Sequence, residues 1–291
     1  MVLSTNMDFI RRIYGEEKAI EVIADTGFDA IDFSMGNVQS PDCPWMKSDY
    51  RQHAQDILRL ADAHGVYFNQ AHAPVPVSAT GQNTKDVLKN ISYESMERTF
   101  EICGLLKIPH VIVHGIFYPE ISVNSEMKLE ANIAYFRKLK ELAEPHGVRV
   151  ALENIMKTFA RPYYFSTIMN ELNDDFFLAC VDVGHCNVVN NGSGELIRTL
   201  GKRVQALHLH DNHVDYDEHL IPGTGNADWN EILSALADIH YSGDFTLELS
   251  DHATSCMRDD LGFDRSFFPT ALKYSQQTAR YLIRKLERMM G

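Results

Sequence analysis

The sequence predicts an α/β fold, a single (β/α)8 TIM barrel over residues 1–291. Three observations carry that expectation. Short apolar runs of β character alternate with stretches of helical spacing along the whole chain. Eight such pairs can be marked, the number at which a parallel sheet closes most naturally on itself. No G-x-G-x-x-G follows the first strand, which counts against an open dinucleotide-binding sheet.

Taken in order, the strands are expected at residues 2–5, 30–33, 66–70, 110–113, 148–152, 178–181, 204–209 and 245–249. The helices are expected at 16–25, 50–64, 93–106, 130–144, 167–172, 194–200, 229–240 and 270–290. Several helices run into a glycine just before the next strand, at Asp25-Thr-Gly, His64-Gly, His146-Gly and Tyr241-Ser-Gly. Glycine takes the left-handed conformation that closes a helix. The last helix sets Leu272, Tyr281, Leu282, Leu286 and Met289 against an Arg/Lys-rich side. No linker or low-complexity tract marks a second domain.

Bulk properties agree. A chain of 291 residues suits a barrel, typically ~250 residues long. No segment approaches the ~20 continuous apolar residues of a membrane span, and the N-terminus lacks the apolar core of a secretory signal. Five cysteines, scattered and without a C-x-x-C pair, suit a reducing compartment, so a cytoplasmic location is expected. The net charge of −13 disfavours broad attraction to nucleic acid or an anionic membrane. Divalent ions among the carboxylates would still make a local field positive.

Three connections on the strand-exit side are long: 34–48, 73–84 and 251–269. Barrels build pockets and lids there. Arg161, Arg258 and Arg265 lie in such loops and could meet an anionic substrate group, against the more ordinary role of a solvated cation.

The chemistry-bearing residues stand at the strand exits. Residues 206–229 concentrate His208, His210, His213 and His219 with Asp211, Asp215, Asp217 and Asp228 around a Pro-Gly-x-Gly turn. Imidazole and carboxylate are ligands for Zn, Mn or Fe. The third strand leads to His72, the fourth to His114, the fifth to Glu153, and the sixth to Asp182 and His185. The seventh gives His208, with Asp217 and His219 in its loop, and the eighth gives Glu248. Any one of them has a structural explanation as a hydrogen-bonded histidine or a paired carboxylate. Nine under one geometric rule converge on one pocket. His210 shares the face of His208 one step further out, as a substrate contact or a support for the ligands. Cys186 reads as a small packed residue.

At these residues the sequence resembles the xylose-isomerase-like barrel superfamily, which includes the endonuclease IV family and the tagatose and psicose 3-epimerases. The epimerase pattern implies one divalent ion on Glu153, Asp182, His208 and Glu248, with His185 binding substrate. Glu153 and Glu248 would then be the acid/base pair across the sugar. The endonuclease IV pattern implies up to three zinc ions, adding His72, His114, His185, Asp217 and His219.

Departures cut both ways. Asn-Ile-Met-Lys follows Glu153, Val-Gly stands between Asp182 and His185, and Gly-Ile-Phe follows His114, none of them the endonuclease IV sequence. The bulky pair that wedges into DNA is missing after His72. The arginine usual in epimerases after the strand-7 histidine is replaced by Val214, and four of the nine ligand types exceed the epimerase need.

The resemblance therefore implies a divalent-metal-dependent isomerase or epimerase of a small sugar or sugar phosphate, using Mn, Zn, Mg or Co. The alternative it implies is a multi-zinc phosphoesterase of the endonuclease IV type. A sugar-acid dehydratase and a non-catalytic sugar-binding barrel are further readings. The expected partner is a small carbohydrate, with nucleic acid disfavoured, no membrane, and assembly into a homo-oligomer left open.

Overall fold

The computed structural model describes residues 1–38, 40, 42–75, 88–89, 91–116, 125–155, 161–189, 192–250 and 267–291. Its eight strands are β1 (Leu3–Asn6), β2 (Ala30–Ser34), β3 (Tyr67–His72), β4 (His110–Val113), β5 (Arg149–Glu153), β6 (Phe177–Asp182), β7 (Val204–His208) and β8 (Phe245–Leu247). They run parallel in the order β7-β6-β5-β4-β3-β2-β1-β8. The ring closes just past the strand ends: Leu209 bridges Leu247, its N–H donates to the Thr246 carbonyl at 2.9 Å, and its carbonyl accepts from Glu248 N–H at 3.2 Å. This is the (β/α)8 barrel that the alternation predicts.

The helices are α1 (Asp8–Tyr14), α2 (Glu16–Thr26), α3 (Tyr50–Ala63), α4 (Tyr93–Leu105), α5 (Ser125–Ala143), α6 (Pro162–Leu172), α7 (Val183–Val188), α8 (Ser193–Leu200), α9 (Trp229–Asp238) and α10 (Phe268–Met290). Two of them escape sequence reading. The first, α1, has seven residues and buries only Phe9 and Ile10, too few for a period to register. The second, α7, starts from a side-chain cap, the Asp182 carboxylate accepting from His185 N–H at 2.7 Å. The expected helix at 167–172 begins earlier, at Pro162, where a fixed φ suits the first helical turn.

Alternation along the strands divides the interior. Outward residues such as Phe33, Val111, Val150, Val181 and Leu207 join the helices in the main core. Phe33 meets Trp45 and Phe68 edge-on, with ring centroids 5.6 and 5.0 Å apart. Inside the barrel, Ile112, Ala151, Leu178, Cys180 and Ala206 make a small apolar plug. Opposite the plug the interior is polar: Ser4 Oγ donates to Asn69 Oδ1 at 2.7 Å, and Asn69 Nδ2 donates to Thr246 Oγ1 at 3.1 Å. Among the described residues no helix is long and apolar enough to cross a membrane. Residues 39, 41, 76–84 and 251–266 of the three expected long connections lie outside the described residues, and Arg258 and Arg265 with them.

At the start of β4, His110 Nε2 is buried without a hydrogen-bond partner among the described residues. Burial pushes this imidazole down to about 4. Its ordinary value in the unfolded chain is higher, so acid protonates the unfolded state first. The stabilisation from neutral His110 is therefore complete above about pH 6.5 and drains away as pH falls toward about 4. Urea unfolding should show the wild type losing on the order of 2 kcal/mol of stability relative to His110→Leu between pH 6.5 and 4.5. A pH-independent difference would refute the assignment.

Candidate metal centre

The last residues of β5, β6 and β7 are Glu153, Asp182 and His208, and Glu248 follows β8 directly. Their ligand atoms all lie within 4.8 Å of one another. His208 Nδ1 stands 3.0 Å from Glu153 Oε1, 3.2 Å from Glu248 Oε2 and 4.0 Å from Asp182 Oδ2. Glu153, Asp182 and His208 are all but fully buried, while Glu248 keeps 15% of its side chain exposed, toward the cavity it lines. Three carboxylates in such a cup repel one another unless a cation joins them. The oxygen and imidazole donors suit Zn or Mn. Beside them His185 Nδ1 and Asp217 Oδ1 are buried with no hydrogen-bond partner among the described residues. The residues present fit a divalent ion.

Two further groups flank this one. Glu153 Oε2 lies 2.8 Å from His114 Nε2 and 3.3 Å from His72 Nε2, and the two nitrogens are 3.1 Å apart. His72 Nδ1 donates to its neighbour's carbonyl, Ala73 O, at 2.8 Å, which leaves its Nε2 as a lone pair when the ring is neutral. On the other side Asp217 Oδ2 lies 2.8 Å from His219 Nε2 and 3.2 Å from His185 Nε2. His219 Nδ1 donates to the Glu248 carbonyl at 3.1 Å, so its Nε2 also faces the carboxylate as a lone pair when neutral. Glu153 is thus shared between the central group and the His72–His114 group.

The charges interlock. Burial favours protonating Glu153, but His208 and His114 outweigh it and hold the carboxyl well below its usual range. Against the same burial penalty, His185 and His210 bring Asp182 down to about 2. Burial opposes charge on His185 and His219, and the carboxylates around them prevail, raising the first to about 10 and the second to about 9. His114 goes the other way, its burial outweighing the pull of Glu153. Protons and a divalent ion therefore compete for the same nitrogens.

These groups stand on the floor of a cavity of about 630 Å³. Its lining includes His72, His114, Glu153, His185, Asp217, His219 and Glu248, all expected from the sequence, and also Asn6, Asp8, Arg11, Arg12 and Asp32, which were not. The unexpected ones come from the end of β1, from α1 and from the middle of β2. The only signal there was Asp32, a charge inside the apolar run Ala30–Ser34.

Three placements bear on the sequence reading. His210 is fully buried and absent from the cavity lining: its Nε2 sits 3.1 and 3.0 Å from the two Asp182 oxygens, and its ring stacks on His219 at 4.1 Å. It faces Asp182, and with His219 and Glu248 it forms a further group whose ligand atoms lie within 4.8 Å of one another. Arg161 is exposed at the start of α6 and does not line the cavity. The aspartates of residues 206–229 also divide. Asp211 is a structural hub, accepting from Asn212, Gly223 and Ala227 N–H and from Trp229 Nε1 at 2.8–3.0 Å. Asp228 caps α9, Asp215 is exposed, and only Asp217 reaches the cavity. A residue missed by sequence reading, Asn154, clamps the site from below, donating to the Asp182 carbonyl at 2.8 Å and accepting from its N–H at 2.7 Å.

Compared with known proteins, residues 20–282 match the family model described as a xylose isomerase-like TIM barrel. An uncharacterised protein of Methanocaldococcus jannaschii is 31% identical over 202 residues, 66% of this chain and 67% of that one. An L-ribulose 3-epimerase of a Methylomonas species is 25% identical over 244 residues, 80% of this chain and 78% of the enzyme. Among solved structures, a D-tagatose 3-epimerase-like protein superposes over the whole of both chains, with a TM-score of 0.76 at 21% identity. That likeness is one of fold.

Proposed function

The chain belongs to the xylose isomerase-like TIM barrel family, and from that premise we propose that it is a divalent-metal-dependent isomerase or epimerase of a small sugar or sugar phosphate. We take residues 1–291 as the one domain that carries this activity. The observation behind the reading is the Glu153–Asp182–His208–Glu248 group beneath a cavity of about 630 Å³, a size suited to a small molecule. The similarity to an L-ribulose 3-epimerase supports the same class of reaction.

Those four residues would hold the ion, which when bound eases loss of a carbon-bound proton next to a carbonyl. Glu153 and Glu248 reach the cavity from β5 and β8, three strands apart. One takes the proton from one face of the sugar, and the other returns a proton to the opposite face. His185, whose side chain lines the cavity, would bond a substrate hydroxyl. Incubation of the metal-loaded protein with ketoses in deuterated water should place deuterium at the reacting carbon, and chelation should stop it. Absence of exchange across the candidate sugars would refute the reading.

One observation favours a second reading. The His72–His114–Glu153 group and the convergence of His185 and His219 on Asp217 exceed what one ion needs. They suit a multi-zinc phosphoesterase. Three ions per chain with cleavage of an abasic duplex would establish it, and one ion without phosphoesterase activity would exclude it.

A further inference from the structure

Asp32 lies in the middle of β2 as a carboxylate only 1% exposed. Its neighbour Phe33 turns outward onto Trp45 and Phe68, so strand alternation sends Asp32 into the barrel. There Oδ2 lies 3.2 Å from His208 Nε2 and accepts from Gln70 Nε2 at 2.9 Å. The other oxygen, Oδ1, is buried without a hydrogen-bond partner among the described residues. Burying a carboxylate with half its acceptors unused costs far more than burying leucine or asparagine in the same space. Packing alone therefore gives no reason for an acid at this position.

The geometry at His208 gives one. A carboxylate only accepts, so Asp32 calls for a proton on Nε2, just as Glu153 and Glu248 call for one on Nδ1 while no cation joins them. A divalent ion taken up by those carboxylates would need the Nδ1 lone pair, 3.0 Å from Glu153 Oε1 and 3.2 Å from Glu248 Oε2, and would leave the one imidazole proton on Nε2, facing Asp32. The other tautomer would direct an N–H at those carboxylates and a lone pair at Asp32, turning His208 from a metal ligand into a hydrogen-bond donor. We propose that Asp32 is a positioning residue that holds His208 in its Nε2–H tautomer, with Nδ1 aimed at the Glu153, Asp182 and Glu248 oxygens. This rests on the metal-binding part of the proposed function and not on the identity of its substrate. Partners that fix the tautomer of a metal-binding histidine commonly govern affinity.

Nitrogen–proton NMR of the zinc-loaded wild-type protein should show a downfield His208 Nε2–H that is protected from solvent exchange. Its absence would overturn the proposal, whatever any variant does. Zinc titration followed at the His208 resonances should show a 10–100-fold weaker site in Asp32→Leu, with the protected proton lost. Gln70→Leu removes the other donor to the same oxygen and should leave both readouts within threefold of wild type. Thermal midpoints and circular dichroism identify any variant that fails to fold. Wild-type affinity in Asp32→Leu, or an equal loss in Gln70→Leu, would refute the role. A zinc-binding protein without epimerase activity would leave Asp32 in place, so the two readings fail separately.

Discussion

Glu153→Gln should lower turnover by roughly a thousandfold or more and strip the metal centre, because Glu153 joins the central group to the His72–His114 pair. One carboxylate oxygen lies 3.0 Å from His208 Nδ1 and 3.6 Å from His185 Nδ1, the other 2.8 Å from His114 Nε2 and 3.3 Å from His72 Nε2. An amide carries no charge, and in either orientation it directs an N–H at nitrogens that should themselves be ligands. General-base removal alone accounts for about 10²–10⁴ in rate, and the lost ion removes its share as well. The fold should survive, since the main core between sheet and helices does not include Glu153. Metal analysis, sugar turnover and circular dichroism on the same sample check all three points. Glu248→Gln is a sharper companion, since Glu248 contacts His208 and His219 but not the His72–His114 pair. A single-ion epimerase should lose its ion in either variant. A multi-zinc enzyme should keep part of its metal in Glu248→Gln. Retained turnover in the double variant would refute the assigned site.

The expected ligands were legible because a barrel converts the position after each apolar run into one ring. Glu153, Asp182 and His208 end β5, β6 and β7, and periodicity alone could point to them. His210 shows where that logic stops. The rule of alternation put it on the face of His208, but β7 ends at His208, and the backbone beyond is governed by the closing bridge at Leu209. Asp211 was unreadable for a similar reason. Its acceptors are spent on backbone N–H groups up to 16 residues away, a pattern set by loop closure and not by period. On the β1–β2 side the cavity is lined by Asp8, Arg11 and Arg12 from α1, a helix too short to announce itself. The loops that would set substrate choice follow no period at all.

Gly184→Ala is expected to damage both stability and metal binding, although helix propensity argues the opposite. Gly184 lies within α7, where alanine is favoured over glycine by about 1 kcal/mol. A Cβ there would stand 1.9 Å from His210 Cε1 and 2.4 Å from Nδ1, so the ring has to move. It has nowhere to go: His210 is fully buried, stacked on His219 at 4.1 Å and bonded to both Asp182 oxygens. Overpacking costs about 1–3 kcal/mol, and a lost hydrogen bond to a charged group about 1.5–3 kcal/mol. The steric and hydrogen-bond losses win, leaving a net destabilisation of roughly 2–4 kcal/mol and a thermal midpoint lower by about 3–7 °C. Asp182 loses the partner that orients it, so the ion should bind about tenfold more weakly. Adding His210→Ala to the variant separates the two effects. Removing the ring relieves the overlap and should recover most of the thermal midpoint, while metal affinity stays low because Asp182 still lacks its support. Recovery of both would mean that His210 only fills space; recovery of neither would place the damage in the α7 backbone.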